Sequence, residues 1–346
     1  MTIYIHIGLQ KTGTTFLQRA MNMSREELAG HGVIYPDPAA GLDVTKSSHG
    51  HHFLAQALAG RRTNYTPDAD FSLLPAHVAA LKEEVARQKG AIGVISSEVL
   101  STLRPPAIAR LRDLFHEDDV RILVYLRRQD AWIDSLYGQM VKVGRKSSIE
   151  DFIEQERKRL DFEALLAPWV AIFGEDRIVV RTYEYPKGTE LWDDFMATIG
   201  APQASAVQPQ LESANDSLPP ELTLFARTLN RYEKRRPLRR ILEQLATHFP
   251  ADRGLKYLHG DDAAALMAAV DETNGVVARR FLGRNRLFRD ADPLPFVGQD
   301  ELSAEQYAMI LGGVCMLLLE RIDKLESKRG ANNASKVGKK MKKLLS

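Results

Sequence analysis

Short apolar runs alternate with amphipathic stretches along the first 200 residues of the chain. The runs are rich in β-branched and aromatic residues and are bounded by turn residues, which is the pattern of buried strands. They are Ile3–Ile7, Gly32–Tyr35, Ala91–Glu98, Val120–Leu126 and Arg177–Thr182. The stretches between them repeat apolar residues at helical spacing, beginning with a helix expected over Thr14–Met23. Strands that alternate with helices predict an α/β fold, a three-layer sandwich whose mostly parallel central sheet has helices on both faces.

The pattern becomes helical after about residue 202, with the stretches Asp262–Phe281 and Ser303–Lys328 each read as one helix. We therefore divide the chain into an α/β core over 1–205, a helical C-terminal part over 206–328 that packs on the core, and a tail over 329–346. Seven Lys or Arg residues and no acid follow Glu326, so we expect the tail to be disordered. Two roles stay open for it, a solubilising tail or a weak contact with an anionic surface.

The composition indicates in which compartment the protein is found and which partners it binds. The net charge is only +2, and we expect no nucleic-acid partner. The single cysteine, Cys315, lies in the apolar run Val314–Leu319, so we predict a buried core thiol and no intramolecular disulfide. There is no signal-peptide pattern and no apolar run of membrane-spanning length. We therefore expect a cytoplasmic protein, peripheral to the inner membrane face if the basic tail binds lipid.

The first strand leads directly into a glycine-bounded loop and a helix. Gly8 and Gly13 bracket the loop, and the helix begins at Thr14. A loop that enters a helix N-terminus directs several backbone N–H groups at one spot, which suits phosphate or sulfate groups. The glycine spacing matches the P-loop of nucleotide triphosphatases, but the lysine lies inside the loop, at Lys11, and Thr14 stands where that motif has its lysine. The loop is therefore P-loop-type and departs from the ATP-binding pattern.

The segment Lys11-Thr12-Gly13-Thr14-Thr15 resembles the 5′-phosphosulfate-binding loop of sulfotransferases that use 3′-phosphoadenosine-5′-phosphosulfate (PAPS). The resemblance implies that these residues bind the donor. It also implies that Lys11 stabilises the charge that develops on the bridging oxygen of the leaving group. PAPS would be the sulfuryl donor and phosphoadenosine phosphate (PAP) the product, and no metal is expected.

A second segment strengthens the resemblance. Such sulfotransferases hold the 3′-phosphate with an Arg at a strand end and a Ser eight residues later on the next helix, and Arg127 and Ser135 have this spacing. Arg128 takes the role if the register shifts by one residue. In related enzymes a C-terminal basic loop covers the 3′-phosphate or grips an anionic glycan. The chain has such a cluster in Arg279, Arg280, Arg284 and Arg286, which alternatively is a solvated helix end.

The reaction needs a base for the acceptor hydroxyl, and members of the family use a His or a Glu near the end of the third strand. Glu98 ends such a strand here and is our first choice. His51 and His52, which follow a Gly/Ser loop together with His49, are the rivals, and packing of one of them in the core is the alternative.

The resemblance implies transfer of a sulfuryl group to a hydroxyl, or as a second choice an amine, of a saccharide or glycolipid. This acceptor class is that of the glycan-modifying branch, which uses Glu. Two alternatives stay open: a nucleotide-triphosphate-dependent kinase and a non-catalytic nucleotide-binding protein. A kinase needs a carboxylate at a strand end to hold Mg²⁺, whereas Asp118 and Asp119 precede their strand. The sequence leaves the oligomeric state open.

Overall fold

The computed structural model describes residues 1–42, 48–62, 69–184, 188–207, 218–231, 236–247, 255–289, 297–298 and 301–344. Its strands are β1 (Thr2–His6), β2 (Val33–Ile34), β3 (Ile92–Ser96), β4 (Asp119–Leu126), β5 (Ile178–Thr182), β6 (Leu255–Lys256) and β7 (Val297–Gly298). Its helices in the first half are α1 (Thr14–Met23), α2 (Arg25–Gly30), α3 (His52–Ala59), α4 (Leu74–Ala86), α5 (Pro105–Leu114), α6 (Gln129–Lys142), α7 (Ile149–Leu160) and α8 (Phe162–Phe173). Those in the second half are α9 (Gly188–Thr198), α10 (Pro220–Leu229), α11 (Arg236–Ala246), α12 (Gly260–Ala269), α13 (Asp271–Leu282) and α14 (Ala304–Leu344).

The main sheet has five strands in the order β2-β3-β1-β4-β5, and every neighbouring pair is parallel. The strand β1 lies at the centre, between β3 and β4, and its last residue, His6, is in register with Ser96 of β3. Because all five strands point the same way, their carboxyl ends meet at one edge of the sheet. The loops that follow β1, β3, β4 and β5 therefore start side by side there.

Helices cover both faces of this sheet, which confirms the predicted α/β fold. Side chains alternate along β1, so that Ile3 and Ile5 join one buried cluster and Tyr4 joins another. The first cluster includes apolar residues of α3, α4, α5, α8 and α13, and the second includes those of α1, α2 and α9. The sheet is therefore the middle layer of three, as the sequence pattern predicts.

The chain forms two compact units that interleave along the sequence. The first consists of 1–136, 154–214 and 264–292, and the second of 137–153, 215–263 and 293–346. This division differs from the sequence-based boundary at 205/206, because 264–292 belongs to the unit that contains the sheet, and 137–153 belongs to the other. In the first unit α13 packs on α8 and β5, a long-range pairing that hydrophobic periodicity does not reveal.

The expected helix over 262–281 is two helices, α12 and α13. Val270, which precedes α13, has the non-helical backbone angles φ −110° and ψ 3°. The acidic residues that follow it, Asp271 and Glu272, occupy the first turn of α13, where they interact favourably with the helix dipole.

The helix α14 departs from the sequence-based expectations in two ways. Its backbone continues through 329–344, where we expected a disordered tail, and 345–346 lie outside the described residues. Cys315 is exposed, so the prediction of a buried thiol is wrong. The helix turns Ile310 and Val314 inward in its own unit, and Cys315 projects from the next position around the helix. Among the described helices none has the length and hydropathy needed to cross a membrane.

Candidate functional site

The loop between β1 and α1 has a strained and closely packed backbone. Lys11 has φ +65°, which is unusual for a residue with a side chain, and Gly13 has φ +75°. A Cβ atom at Gly13 would lie 2.3 Å from Cδ2 of Leu191 and 3.1 Å from Cε2 of Tyr183. Only glycine fits this position, because it needs both a positive φ and the space of a missing side chain. Backbone strain of this kind is often found at functional sites.

Protein groups bind three successive carbonyl groups of the loop. The hydroxyls of Thr12 and Thr14 donate to the carbonyl of Leu9, at 2.7 and 3.0 Å. The indole of Trp132 donates to the carbonyl of Gln10 at 2.9 Å. The guanidinium of Arg127 donates to the carbonyl of Lys11 at 2.8 Å. In a trans peptide the following N–H points away from the carbonyl, so the N–H groups of residues 10–12 face away from these donors.

The N-terminus of α1 is open. The N–H groups of Gly13, Thr14 and Thr15 donate no hydrogen bond to a described residue, and no described side chain caps the helix. Its first turn contains no acid. The side chain of Thr15 is exposed. The helix start therefore offers backbone donors and the positive end of its dipole to an anion.

The two arginines after β4 have different roles in the structure. Arg128 forms an ion pair with the fully buried carboxylate of Asp130 at 3.0 Å. Arg127 instead contacts the loop, and its guanidinium lies 5.6 Å from the centre of the Tyr183 ring. It forms no ion pair with a carboxylate of a described residue. Burial lowers the pKa of Arg127, although Tyr183 and the acids Asp134 and Asp130 act in the opposite direction.

Ser135 lies on α6, six residues after the first residue of the helix, and is half-buried. Arg127 thus lies at the carboxyl edge of the sheet, directly after β4, and Ser135 lies on the helix that follows. No contact between the two side chains is present, so their joint role stays a prediction.

Glu98 follows β3 at the same edge and is held by α1. The amide of Gln18 donates to Oε2 of Glu98 at 3.0 Å and to the hydroxyl of Ser96 at 3.3 Å. Nδ1 of His52 lies 3.9 Å from the same carboxylate oxygen and 2.8 Å from the hydroxyl of Ser97. The side chain of Glu98 is 11% exposed. Burial lowers the pKa of His52, and the nearby charge of Glu98 opposes this effect.

His51 links two backbone segments. The N–H of Ser96 donates to Nδ1 of His51 at 3.1 Å, and Nε2 of His51 lies 3.2 Å from the carbonyl of Pro36. This arrangement requires the neutral ring with its proton on Nε2. Burial lowers the pKa of His51 to about 3. Both ring nitrogens are occupied by the backbone, which argues against His51 as the base. His49 is exposed and contacts Asn22.

His6, the last residue of β1, is a buried histidine whose contacts the sequence pattern does not predict. It is fully buried, and its Nδ1 lies 2.9 Å from the hydroxyl of Ser96. Burial lowers its pKa to about 3. A hydrogen-bonded chain therefore runs from Glu98 through Gln18 and Ser96 to His6. Two features of the sequence signal this series of hydrogen bonds. They are the order Ser96-Ser97-Glu98 after an apolar run and the position of Gln18 one turn after Thr14.

The basic cluster at the end of α13 is divided in the structure. Arg280 forms an ion pair with Glu175 at 2.6 Å. Arg284 instead lines a cleft of about 450 Å³ beside the carboxyl end of β5. The other lining residues are Arg181, Thr182, Glu184, Glu190, Leu282 and Arg289. Part of the cluster thus reaches the edge of the sheet that carries the loop. Among the described residues, no group of three or more His, Cys, Asp or Glu is arranged to hold a metal ion.

No protein-family model matches the chain. An uncharacterized protein of Archaeoglobus fulgidus is 34% identical over 140 residues, which is 40% of this chain and 38% of the relative. The chain therefore matches well under half of that relative's length. A crystal structure of a sulfotransferase from Alicyclobacillus acidocaldarius is similar with a TM-score of 0.38 and 15% identity, over 78% of this chain and 96% of that chain. At this score the similarity does not define the fold, which is assigned from the sheet and its helices.

Proposed function

We propose that the chain transfers a sulfuryl group from PAPS to a hydroxyl group of a saccharide or glycolipid. The observation that carries the proposal is the half-buried cation of Arg127. It adjoins an open helix N-terminus and forms no ion pair with a described carboxylate. A half-buried cation beside open backbone donors favours a ligand with more than one anionic group.

The residues of the loop fit a bound phosphosulfate. Backbone N–H groups from Gly13 to Thr15 would hold the 5′-phosphate and sulfonate oxygens, and Lys11 would add a mobile charge. The hydroxyls of Thr12 and Thr14 stabilise the conformation of the loop, because both donate a hydrogen bond to the carbonyl of Leu9. Arg127 would bind the 3′-phosphate with Ser135. The donor supplies an activated sulfuryl group, and the chain supplies orientation and charge stabilisation.

Glu98 is the base that we favour. Its carboxylate is nearly enclosed, Gln18 donates to its Oε2, and Nδ1 of His52 lies 3.9 Å from the same oxygen. The carboxylate would accept the proton of an acceptor hydroxyl as that oxygen attacks sulfur and the sulfur–oxygen bond to the 5′-phosphate breaks. Because His52 is held beside Glu98 by Ser97, it would orient the carboxylate. The choice of a saccharide rests on the resemblance to the glycan-modifying branch.

The two acids at the start of β4 do not suit the kinase alternative. Asp118 and Asp119 lie at the amino end of β4, and Asp118 pairs with Lys82 at 2.8 Å. That end is opposite to the loop, since the strands are parallel. The non-catalytic alternative predicts donor binding without turnover.

A transfer assay with ³⁵S-labelled PAPS and a panel of saccharides and glycolipids tests the proposal. We expect label in an acceptor and release of PAP, both abolished by Lys11→Ala and retained by Lys89→Ala, a lysine exposed on the surface. Tight PAPS binding with no label in any acceptor would instead support the binding protein.

A further inference from the structure

The exposed side of α14 carries a continuous apolar seam. Its members are Leu311, Cys315, Leu318, Ile322 and Leu325, each of them exposed. The successive spacings are four, three, four and three residues, which is the heptad spacing of a coiled coil. Of the residues that pack within the unit, Val314 lies directly beside the seam and Ile310 lies further around the helix.

The residue types at the seam specify a particular partner. Counting heptads so that Cys315 and Ile322 occupy position a, the three leucines all occupy position d. Leucine at d with a β-branched residue at a, here Ile322, favours two parallel strands. We propose that α14 pairs with α14 of a second copy of this chain as a parallel, in-register coiled coil. The inference is independent of the proposed enzymatic function.

The charges beside the seam are complementary in this arrangement. Arg321 occupies position g and Glu326 occupies position e of the next heptad, so the two lie five residues apart. In a parallel dimer each Arg321 faces Glu326 of the partner subunit. In an antiparallel dimer position g faces g, and Arg321 meets another basic or an apolar residue.

A membrane surface is the alternative occupant, and the local charge disfavours it. The exposed segment 318–327 contains Glu320, Asp323 and Glu326 against Arg321 and Lys324. This segment has a net charge of −1, so the seam itself does not attract anionic lipid, whereas the basic residues follow it from Lys328 onward. A second copy of α14 would bury the apolar seam and would pair the charges beside it.

Sedimentation of the full chain over about 2–200 µM tests the proposal, since self-association depends on concentration. We expect a species of twice the 38.8 kDa chain mass that dissociates on dilution. Leu325→Lys should abolish it, whereas Met316→Lys should not. Both residues are 61% exposed, but Met316 lies off the seam, so the pair is matched in exposure and in added charge. A monomer throughout the range, or equal effects of the two variants, would overturn the proposal.

The pair of charges beside the seam, Arg321 and Glu326, provides a second test of the parallel pairing. Arg321→Glu should raise the dimer Kd about fivefold, because it replaces two exposed attractions with repulsions. Adding Glu326→Arg should restore the original value. Failure of the double variant to recover would count against the parallel pairing.

Cross-linking with copper phenanthroline distinguishes the orientations. Chains with a single cysteine at 315 or at 325, the latter made as Leu325→Cys with Cys315→Ser, should both form disulfide dimers. Sites ten residues apart are separated by about 15 Å along the helix, so an antiparallel pair cross-links at one of them at most. Glu320→Cys with Cys315→Ser, which faces away from the seam, is the control. A cross-link at one site only, or binding of anionic vesicles by a monomeric chain that Leu325→Lys abolishes, would contradict the proposal.

Discussion

Replacing Gly13 with alanine tests the close packing of the loop. The substitution adds a Cβ atom at a position with φ +75°, 2.3 Å from Leu191. The left-handed conformation costs about 1 kcal/mol for a residue with a side chain. Leu191 is 1% exposed, so it cannot swing into solvent, and its displacement costs about 1–3 kcal/mol more. We expect Gly13→Ala to lower the free energy of unfolding by about 2–4 kcal/mol.

Urea unfolding monitored by tryptophan fluorescence measures this change. Gly60→Ala is the matched control, because Gly60 has φ +64° and no atom within 4 Å of the added Cβ. Gly60→Ala should lower the free energy of unfolding only by the cost of the left-handed conformation, about 1 kcal/mol. In a Leu191→Ala background, Gly13→Ala should cost less than in the wild type, because the closest contact of the added Cβ is gone and only the 3.1 Å contact with Tyr183 remains. Equal costs for Gly13→Ala and Gly60→Ala in the wild-type background would refute the packing argument.

The remaining predictions concern charge and protonation. Burial lowers the pKa of His6 from its ordinary 6.5 to about 3, so its contribution to stability is complete above pH 6.5 and is lost as the pH falls toward 3. His6→Gln should therefore reduce the pH dependence of unfolding between pH 4 and 6 by about 1.4 kcal/mol per pH unit, measured by urea midpoints, and an unchanged slope would contradict it. Arg128→Ala should destabilise the fold by about 1–3 kcal/mol, because the fully buried Asp130 loses its partner, while calorimetry should find PAP affinity nearly unchanged. Glu98→Gln should lower transfer about 10²–10⁴-fold with PAP affinity retained; residual activity near wild type would exclude Glu98 as the base.

The sequence predicts local structure near the loop well. The helix α1 begins and ends where the pattern indicates, at Thr14 and Met23, because a strand, a glycine-bounded loop and an amphipathic helix are all local signals. The strand order places β3 and β4 on either side of β1. Because the strands are parallel, Glu98, Arg127 and the loop all lie at the carboxyl edge of the sheet.

Long-range hydrogen bonds are what the sequence cannot predict. His51 and His52 are adjacent and look equivalent, yet one is held by Ser96 and the other by Ser97, both 45 residues away. Arg127 and Arg128 differ in the same way, because only the folded chain shows which of them faces the loop.

Apolar runs are ambiguous for a related reason. The run around Cys315 has the composition of a core helix, and a coiled-coil seam has the same composition. Only the structure shows which side of α14 packs within its own unit. The heptad spacing is present in the sequence, but it indicates a coiled coil only when those residues are known to be exposed.

Calorimetric titration of the whole chain with PAP, and in parallel with ATP and Mg²⁺, tests whether the loop after β1 binds the nucleotide of a PAPS donor. We expect micromolar binding of PAP that is lost in Lys11→Ala and in Arg127→Ala. Arg112→Ala, which removes an exposed arginine, should bind normally. Binding of ATP with Mg²⁺ and no response to PAP would contradict PAPS-dependent transfer and favour a kinase.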